Sequence, residues 1–271
     1  MPDSQTFLRS AVVIASPPSQ FVDVRGLRIH LRELGSGPPL LWLHGAGGAG
    51  PWRPWLDALA ERFRVIVPDH PGFGASDEAE WLEGFDDLVY HYLDLLATLG
   101  LSRVQVVGHS LGGWIAAELA VAHPEVVERL VLVDPIGLRH LERPVTDLFA
   151  LTEAQSTRLV YHDPALADAE LANESTAEMI MQRIKNQTTF ARLSWNPYLY
   201  NPHLRRRLYR ITMPTLLVWG RHDRVLPLET AELWTTGIPQ ARLAVVEECG
   251  HAPQREQPQE LVRLVTEFLG G

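Results

Sequence analysis

The chain has 271 residues, of which 46% are hydrophobic and 21% charged, enough for one large globular α/β domain with a full core and a modest insertion. Its net charge of −9 supplies no basic field to hold phosphates, which argues against a nucleic-acid partner, and no apolar run approaches the roughly 20 residues of a membrane span. A single cysteine, Cys249, excludes an internal disulfide and suits a reducing compartment, so a soluble cytoplasmic protein is expected.

Residues 1–19 read as a loosely held arm ended by Pro17-Pro18, and the apolar run Ala11 to Ala15 is too short for a signal sequence. Residues 21–24 and 27–34 read as two antiparallel strands around Arg25-Gly26, with Leu27, Ile29 and Leu31 alternating toward a core. A buried strand over 40–43 runs into His44-Gly45-Ala46-Gly47-Gly48. Gly45, Gly47 and Gly50 also satisfy the G-x-G-x-x-G spacing of a dinucleotide-binding turn, with Asp69 at the end of the next strand. That rival leaves a later serine turn unexplained, and Pro51-Trp52 crowds the place where a pyrophosphate would approach. His44 is read as a side chain that pins the loop. A short helix over 55–62 and a strand over 64–67 follow. The loop from Pro68 to Ser76 is dense in turn residues, and Asp69 and His70 are read as groups that fix its backbone. Residues 85–99 form an amphipathic helix with Leu88, Tyr92, Leu95 and Leu99 on one face.

The next unit is distinctive. Val104 to Val107 is a short β-branched strand, Gly113 to Ala122 reads as a buried helix, and between them stands Gly108-His109-Ser110-Leu111-Gly112, a G-x-S-x-G pattern. Glycines are needed there because side chains beside so sharp a turn would collide with the adjoining strand and helix. The serine hydroxyl is left at a helix N-terminus, where developing negative charge is favoured. A strand over 128–133 ends at Asp134-Pro135.

From 136 to 210 strand-like runs vanish and helix formers dominate, with helices expected over 144–151, 153–161, 165–172, 176–188 and 202–209. This segment reads as a helical lid inserted into a core made of residues 1–135 and 211–271. Trp195, Arg192 and Arg183 in the lid are candidate substrate contacts, against the alternatives of packing for the tryptophan and a solvated helix face for the arginines. Arg205-Arg206-Arg207 reads as a solvated face. The α/β alternation resumes with a strand over 214–219, the loop Gly220 to Pro227, a helix over 229–235, a strand over 241–246 and a closing helix over 258–269. The last strand leads into Cys249-Gly250-His251, where Cys249 reads as a small strand-end side chain.

Ser110, Asp223 and His251 therefore all follow strands, and in a mostly parallel sheet the strand C-termini share one edge. A serine hydroxyl needs a base to take its proton, and His251 has the intrinsic pKa for it. The base needs a buried acceptor, for which Asp223 is preferred and Asp134 is the rival.

With these pieces in place the chain resembles the α/β-hydrolase superfamily, specifically its lidded Ser-His-Asp members. The matching motifs are the His44-Gly45 loop, Pro68-Asp69 through Gly72-x-Gly74-x-Ser76, Gly108-x-Ser110-x-Gly112-Gly113, Gly220-x-x-Asp223-x-x-x-Pro227 and Gly250-His251. The resemblance implies an α/β fold with helices on both faces of a mostly parallel sheet. It also implies a catalytic triad of Ser110, Asp223 and His251, an oxyanion hole from the amides of Ala46 and Leu111, and Gly47 near the substrate. It implies acyl transfer to water on a small-molecule substrate, with no cofactor and no metal in the chemistry. A carboxylic ester is the substrate class expected first. The alternative is C–C hydrolysis of ring-cleavage products, whose hydrolases often carry a proline and an asparagine in the glycine-rich loop and a tryptophan where this chain has Ala252. A non-hydrolytic ligand-binding role is the third alternative.

Overall fold

The computed structural model describes residues 17–173 and 175–270. Most of the expected N-terminal arm, residues 1–16, lies outside them. Eight strands form one sheet: β1 (Gln20–Val24), β2 (Leu27–Leu34), β3 (Pro39–Leu43), β4 (Arg64–Pro68), β5 (Val104–His109), β6 (Val127–Val133), β7 (Thr215–Gly220) and β8 (Ala241–Val246). Their spatial order is β1-β2-β4-β3-β5-β6-β7-β8. β2 is antiparallel to both β1 and β4, and every other pair is parallel. The fold is therefore the α/β-hydrolase arrangement, with β5 central and the C-termini of β3, β5, β6, β7 and β8 on one edge.

Both faces of the sheet are covered, and strand alternation explains how. In β3, Leu41 and Leu43 join one hydrophobic cluster, while Leu40 and Trp42 join the other. β6 divides likewise, Leu130 and Leu132 against Val131 and Val133. The first face receives α2 (Phe85–Thr98) through Leu88, Tyr92 and Leu95, and α3 (Leu111–Ala122) through Ile115 and Leu119. The second receives α1 (Pro54–Ala60) through Leu56 and Leu59, and the C-terminal helix (Pro258–Leu269) through Leu261, Val265 and Leu269. α3 is buried on all sides from Leu111 to Val121, as its unbroken apolar sequence requires.

Between β6 and β7 the chain carries α4 (Glu153–Val160), α5 (Pro164–Ala172) and α6 (Ala177–Ser194). The helices expected over 144–151 and 202–209 form only as 3₁₀ turns at Leu148–Ala150 and Arg205–Arg210. At the first, Asp147 caps the Phe149 amide and Thr152 already caps α4, leaving room for a single turn. α6 runs past the expected end at residue 188 because Thr189, Phe190 and Leu193 are buried there and override the weak helix preference of Thr188-Thr189. After β7 come α7 (Thr230–Gly237), a short α8 (Pro253–Glu256) not expected from the sequence, and α9, the C-terminal helix. Among the described residues no helix is long and apolar enough to cross a membrane.

Candidate active site

The turn at Ser110 is built by steric necessity. Ser110 has φ 52° and ψ −111°, a conformation costly for any residue with a side chain. A Cβ on Gly108 would lie 2.3 Å from the Gly112 carbonyl oxygen, and one on Gly112 would lie 2.1 Å from that of Leu43. The Ser110 amide donates to Val133 of β6 and its carbonyl accepts from Trp114, so strand and helix both grip the strained residue. α3 starts at Leu111, two residues earlier than expected, and the Leu111 amide has no acceptor within the helix.

The three strand-end residues converge. His251 Nδ1 lies 2.7 Å from Asp223 Oδ2, and His251 Nε2 lies 3.0 Å from Ser110 Oγ. With the carboxylate accepting, the ring proton belongs on Nδ1, and Nε2 is left to accept from the serine hydroxyl. All three side chains are buried. The other oxygen of Asp223 accepts from the Val225 and Leu226 amides. The backbone of His251 is held twice: its amide donates to Val160 in α4, and its carbonyl accepts from His109 Nε2 at 2.7 Å. Burial and the neighbouring His251 push the His109 pKa down to about 3, so His109 is a neutral donor here.

Asp134, the rival acid, is fully buried beside Asp223, and its Oδ1 accepts from the Gly220 amide. Burial and the adjacent Asp223 charge hold its pKa well above the ordinary carboxylate range. Cys249 is buried, and burial followed by the nearby carboxylates raises its thiol pKa, which removes it as a nucleophile.

The glycine-rich loop abuts the serine turn: a Cβ on Gly45 would meet His109 Nδ1 at 2.9 Å and Ser110 Cβ at 3.4 Å. The Gly48 amide donates to the Gly45 carbonyl, making a tight turn with Ala46 and Gly47 at its centre. His44 and His70 anchor it. Their rings stack at 3.7 Å, His44 Nε2 accepts from the His70 amide, and His70 Nε2 donates to the His44 carbonyl. A long-range strut comes from α6. Buried Asn186 donates to the Gly47 carbonyl at 3.0 Å and accepts from the Gly74 amide at 2.9 Å.

A cavity of about 390 Å³ opens over the triad. Ser110, His251, Ala46 and Gly47 line it, together with Ile136, Leu148, Val160 and Phe190 from the segment before β7. Its polar wall is Arg53, Trp55, Glu170, Gln254 and Arg255. Arg255 is paired with Glu170 at 2.7 Å, but the Arg53 guanidinium has no hydrogen-bond or ion-pair partner among the described residues. The buried indole N–H of Trp55 also has none. Sequence reasoning missed both donors, because α1 gives no sign of which of its turns faces the serine. Trp195, Arg192 and Arg183 are not on this wall. Trp195 is exposed, Arg192 donates to the Ala79 carbonyl, and Arg183 pairs with Glu153 at the start of α4.

The fold and the buried Ser-His-Asp arrangement define the class: the sequence matches the α/β hydrolase fold family over residues 38–258, and the chain belongs to that family. Among its relatives, a 2-hydroxymuconate semialdehyde hydrolase from Pseudomonas sp. strain CF600 is 34% identical over 90% of this chain and 91% of its own. A 2-hydroxy-6-oxo-6-phenylhexa-2,4-dienoate hydrolase from Comamonas testosteroni is 31% identical, covering 91% of this chain and 93% of its own. Among solved structures, a meta-cleavage product hydrolase superposes with a TM-score of 0.78 at 27% identity, covering 94% of this chain and 98% of that one. By their names these relatives act on C–C bonds, so they back the alternative stated with the resemblance better than the ester placed first there.

Proposed function

We propose that the protein hydrolyses a carbon–carbon bond next to the carbonyl of a small, carboxylate-bearing ring-cleavage product. Ser110 is the nucleophile, His251 the general base and acid, and Asp223 the group that fixes its tautomer. The relatives' names point to the substrate class, and one observation in this chain carries it. The Arg53 guanidinium, without a hydrogen-bond or ion-pair partner among the described residues, stands on the wall of the cavity that Ser110 lines, where a bound carboxylate would satisfy it.

The chemistry follows from a substrate such as 2-hydroxymuconate semialdehyde. Its enol at C2 first takes the keto form, which turns C5 into a carbon that can leave as a delocalised dienolate. Ser110 Oγ attacks the C6 carbonyl as His251 Nε2 takes its proton. The amides of Ala46 and Leu111 hold the oxyanion that forms. The C5–C6 bond then breaks, the dienolate leaves with its charge on the C2 oxygen and takes the proton there from His251 to become a 2-hydroxydienoate, and a formyl ester is left on Ser110. Water, deprotonated by His251, releases formate and frees the serine. Residues 136–210 serve as the lid, excluding bulk water through Leu148, Val160 and Phe190.

The same machinery hydrolyses esters, so a substrate comparison decides. Loss of the dienol absorbance of 2-hydroxymuconate semialdehyde, with one formate per substrate, should proceed at a higher kcat/KM than p-nitrophenyl acetate hydrolysis. Ester turnover with the dienol left intact overturns the C–C reading and leaves the ester one.

A further inference from the structure

A second cluster of donors lies outside the catalytic cavity. His162 sits in the loop between α4 and α5, His222 follows β7, and Glu248 follows β8. Each offers one ligand atom, and these atoms all lie within 4.8 Å of one another. The two imidazole rings stack at 4.1 Å with planes 15° apart, and His162 Nε2 lies 3.1 Å from Glu248 Oε2. That contact accounts for two of the three side chains. The His222 ring makes no hydrogen bond among the described residues, although it is held against the pair.

The side chains reach toward solvent, but the backbones beneath them are fixed. The His222 amide donates to the Cys249 carbonyl, and the His162 amide donates to Glu256 Oε2 at 2.6 Å. Glu256 Oε1 accepts from the Gly250 amide, and the Glu248 carbonyl accepts from Gln257. Glu248 itself has φ 47°, a conformation its side chain disfavours, and this aims it away from the ladder of β8. Three segments remote in sequence are thus brought to one point on a rigid base.

We propose that His162, His222 and Glu248 form a divalent transition-metal site, with zinc the ion their donor set fits best, that fastens the α4–α5 loop to the ends of β7 and β8. Two neutral imidazoles and a carboxylate are a nitrogen-oxygen set suited to zinc, and three protein ligands leave the fourth position to water. Bond lengths of about 2.0–2.2 Å at tetrahedral angles set ligand atoms roughly 3.4 Å apart, so the His162–Glu248 pair at 3.1 Å opens slightly and the His222 ring turns to bring its nitrogen to the ion, adjustments that rotation of the side chains supplies without moving backbone. The ion takes no part in the hydrolysis. Its consequence is mechanical, because the loop it fastens directly follows Val160 at the end of α4, whose carbonyl accepts from the His251 amide, and carries Tyr161, which lines the cavity.

The test is titration calorimetry of the metal-stripped full-length protein with zinc chloride, repeated for His222→Ala, His162→Ala and Glu248→Gln. Cobalt(II) absorbance gives a second readout that does not depend on activity. One saturable site is expected, with a tetrahedral cobalt spectrum and a melting temperature that rises with zinc. Each ligand variant should weaken binding at least about tenfold, since loss of even an outer-sphere partner commonly costs that much. His123→Ala, paired with Glu125 elsewhere on the surface, should bind as wild type does. If one variant fails to fold, judged by its melting curve in chelator, the other two decide. No saturable binding, or affinity unchanged in the ligand variants, overturns the site.

Discussion

Asp134 and Asp223 stand side by side at the ends of adjacent strands, yet only Asp223 reaches the His251 ring, at 2.7 Å. Two buried carboxylates this close disfavour ionising together, and burial and the Asp223 charge push the Asp134 pKa well above the ordinary carboxylate range. The pair thus divides the roles: Asp223 orients the imidazole, and Asp134 supports the loop by accepting from the Gly220 amide. Asp223→Asn should reduce kcat by about four orders of magnitude, because an amide presents the wrong tautomer partner to Nδ1. Asp134→Asn keeps an oxygen acceptor for the Gly220 amide. Its kcat should stay within about tenfold of wild type, where a true catalytic acid would lose far more. Steady-state kinetics on the two variants check this.

Arg53 should separate charged from neutral substrates. A hydrogen bond to an ionised group contributes about 1.5–3 kcal/mol, so Arg53→Gln should raise KM for a carboxylate-bearing substrate roughly 10- to 100-fold. A neutral ester offers no anion, and its KM should be unchanged. Equal effects on both substrates would show that Arg53 supports structure rather than recognition.

Asn186 ties α6 to the two loops beside the serine. Asn186→Ala strands the Gly47 carbonyl and the Gly74 amide, which should cost about 1–3 kcal/mol of stability in a denaturant melt. The loss of kcat should exceed any change in KM, because the disturbed turn carries the Ala46 amide.

Acid should destabilise the fold through buried histidines. Burial holds the His91 pKa down at about 4, against 6.5 in a model peptide, and its Nε2 has no partner among the described residues. The unfolded chain therefore takes up this proton first as pH falls. The stability is fully present above about pH 6.5 and is lost between that point and about pH 4, by roughly 3 kcal/mol for this one residue. His91→Phe should flatten the pH dependence of urea stability across this window, whereas a slope identical to wild type would mean His91 is free to charge in the native state.

How much of this was legible in the sequence depends on the range of the interaction. The strands β2 and β8 and the C-terminal helix follow from local periodicity, and their observed bounds match the expected ones. Ser110, Asp223 and His251 stand out because strained turns and strand ends demand glycine and proline around them. Arg53, Trp55 and Asn186 carry no such mark. Asn186 meets Gly47 across 139 residues of chain, a contact that no sequence window contains. Arg183 and Arg192 carry no mark either: their charge allows a substrate contact or a solvated helix face, and their observed partners, Glu153 and the Ala79 carbonyl, are both remote in sequence.

The central claim, that His251 activates Ser110 as a nucleophile, is tested most directly by a fluorophosphonate probe read by intact-protein mass and peptide mapping. The account predicts one adduct, on the peptide containing Ser110, absent in Ser110→Ala and formed at least about a hundredfold more slowly in His251→Ala. A label on another residue, or equal labelling of wild type and Ser110→Ala, would contradict it.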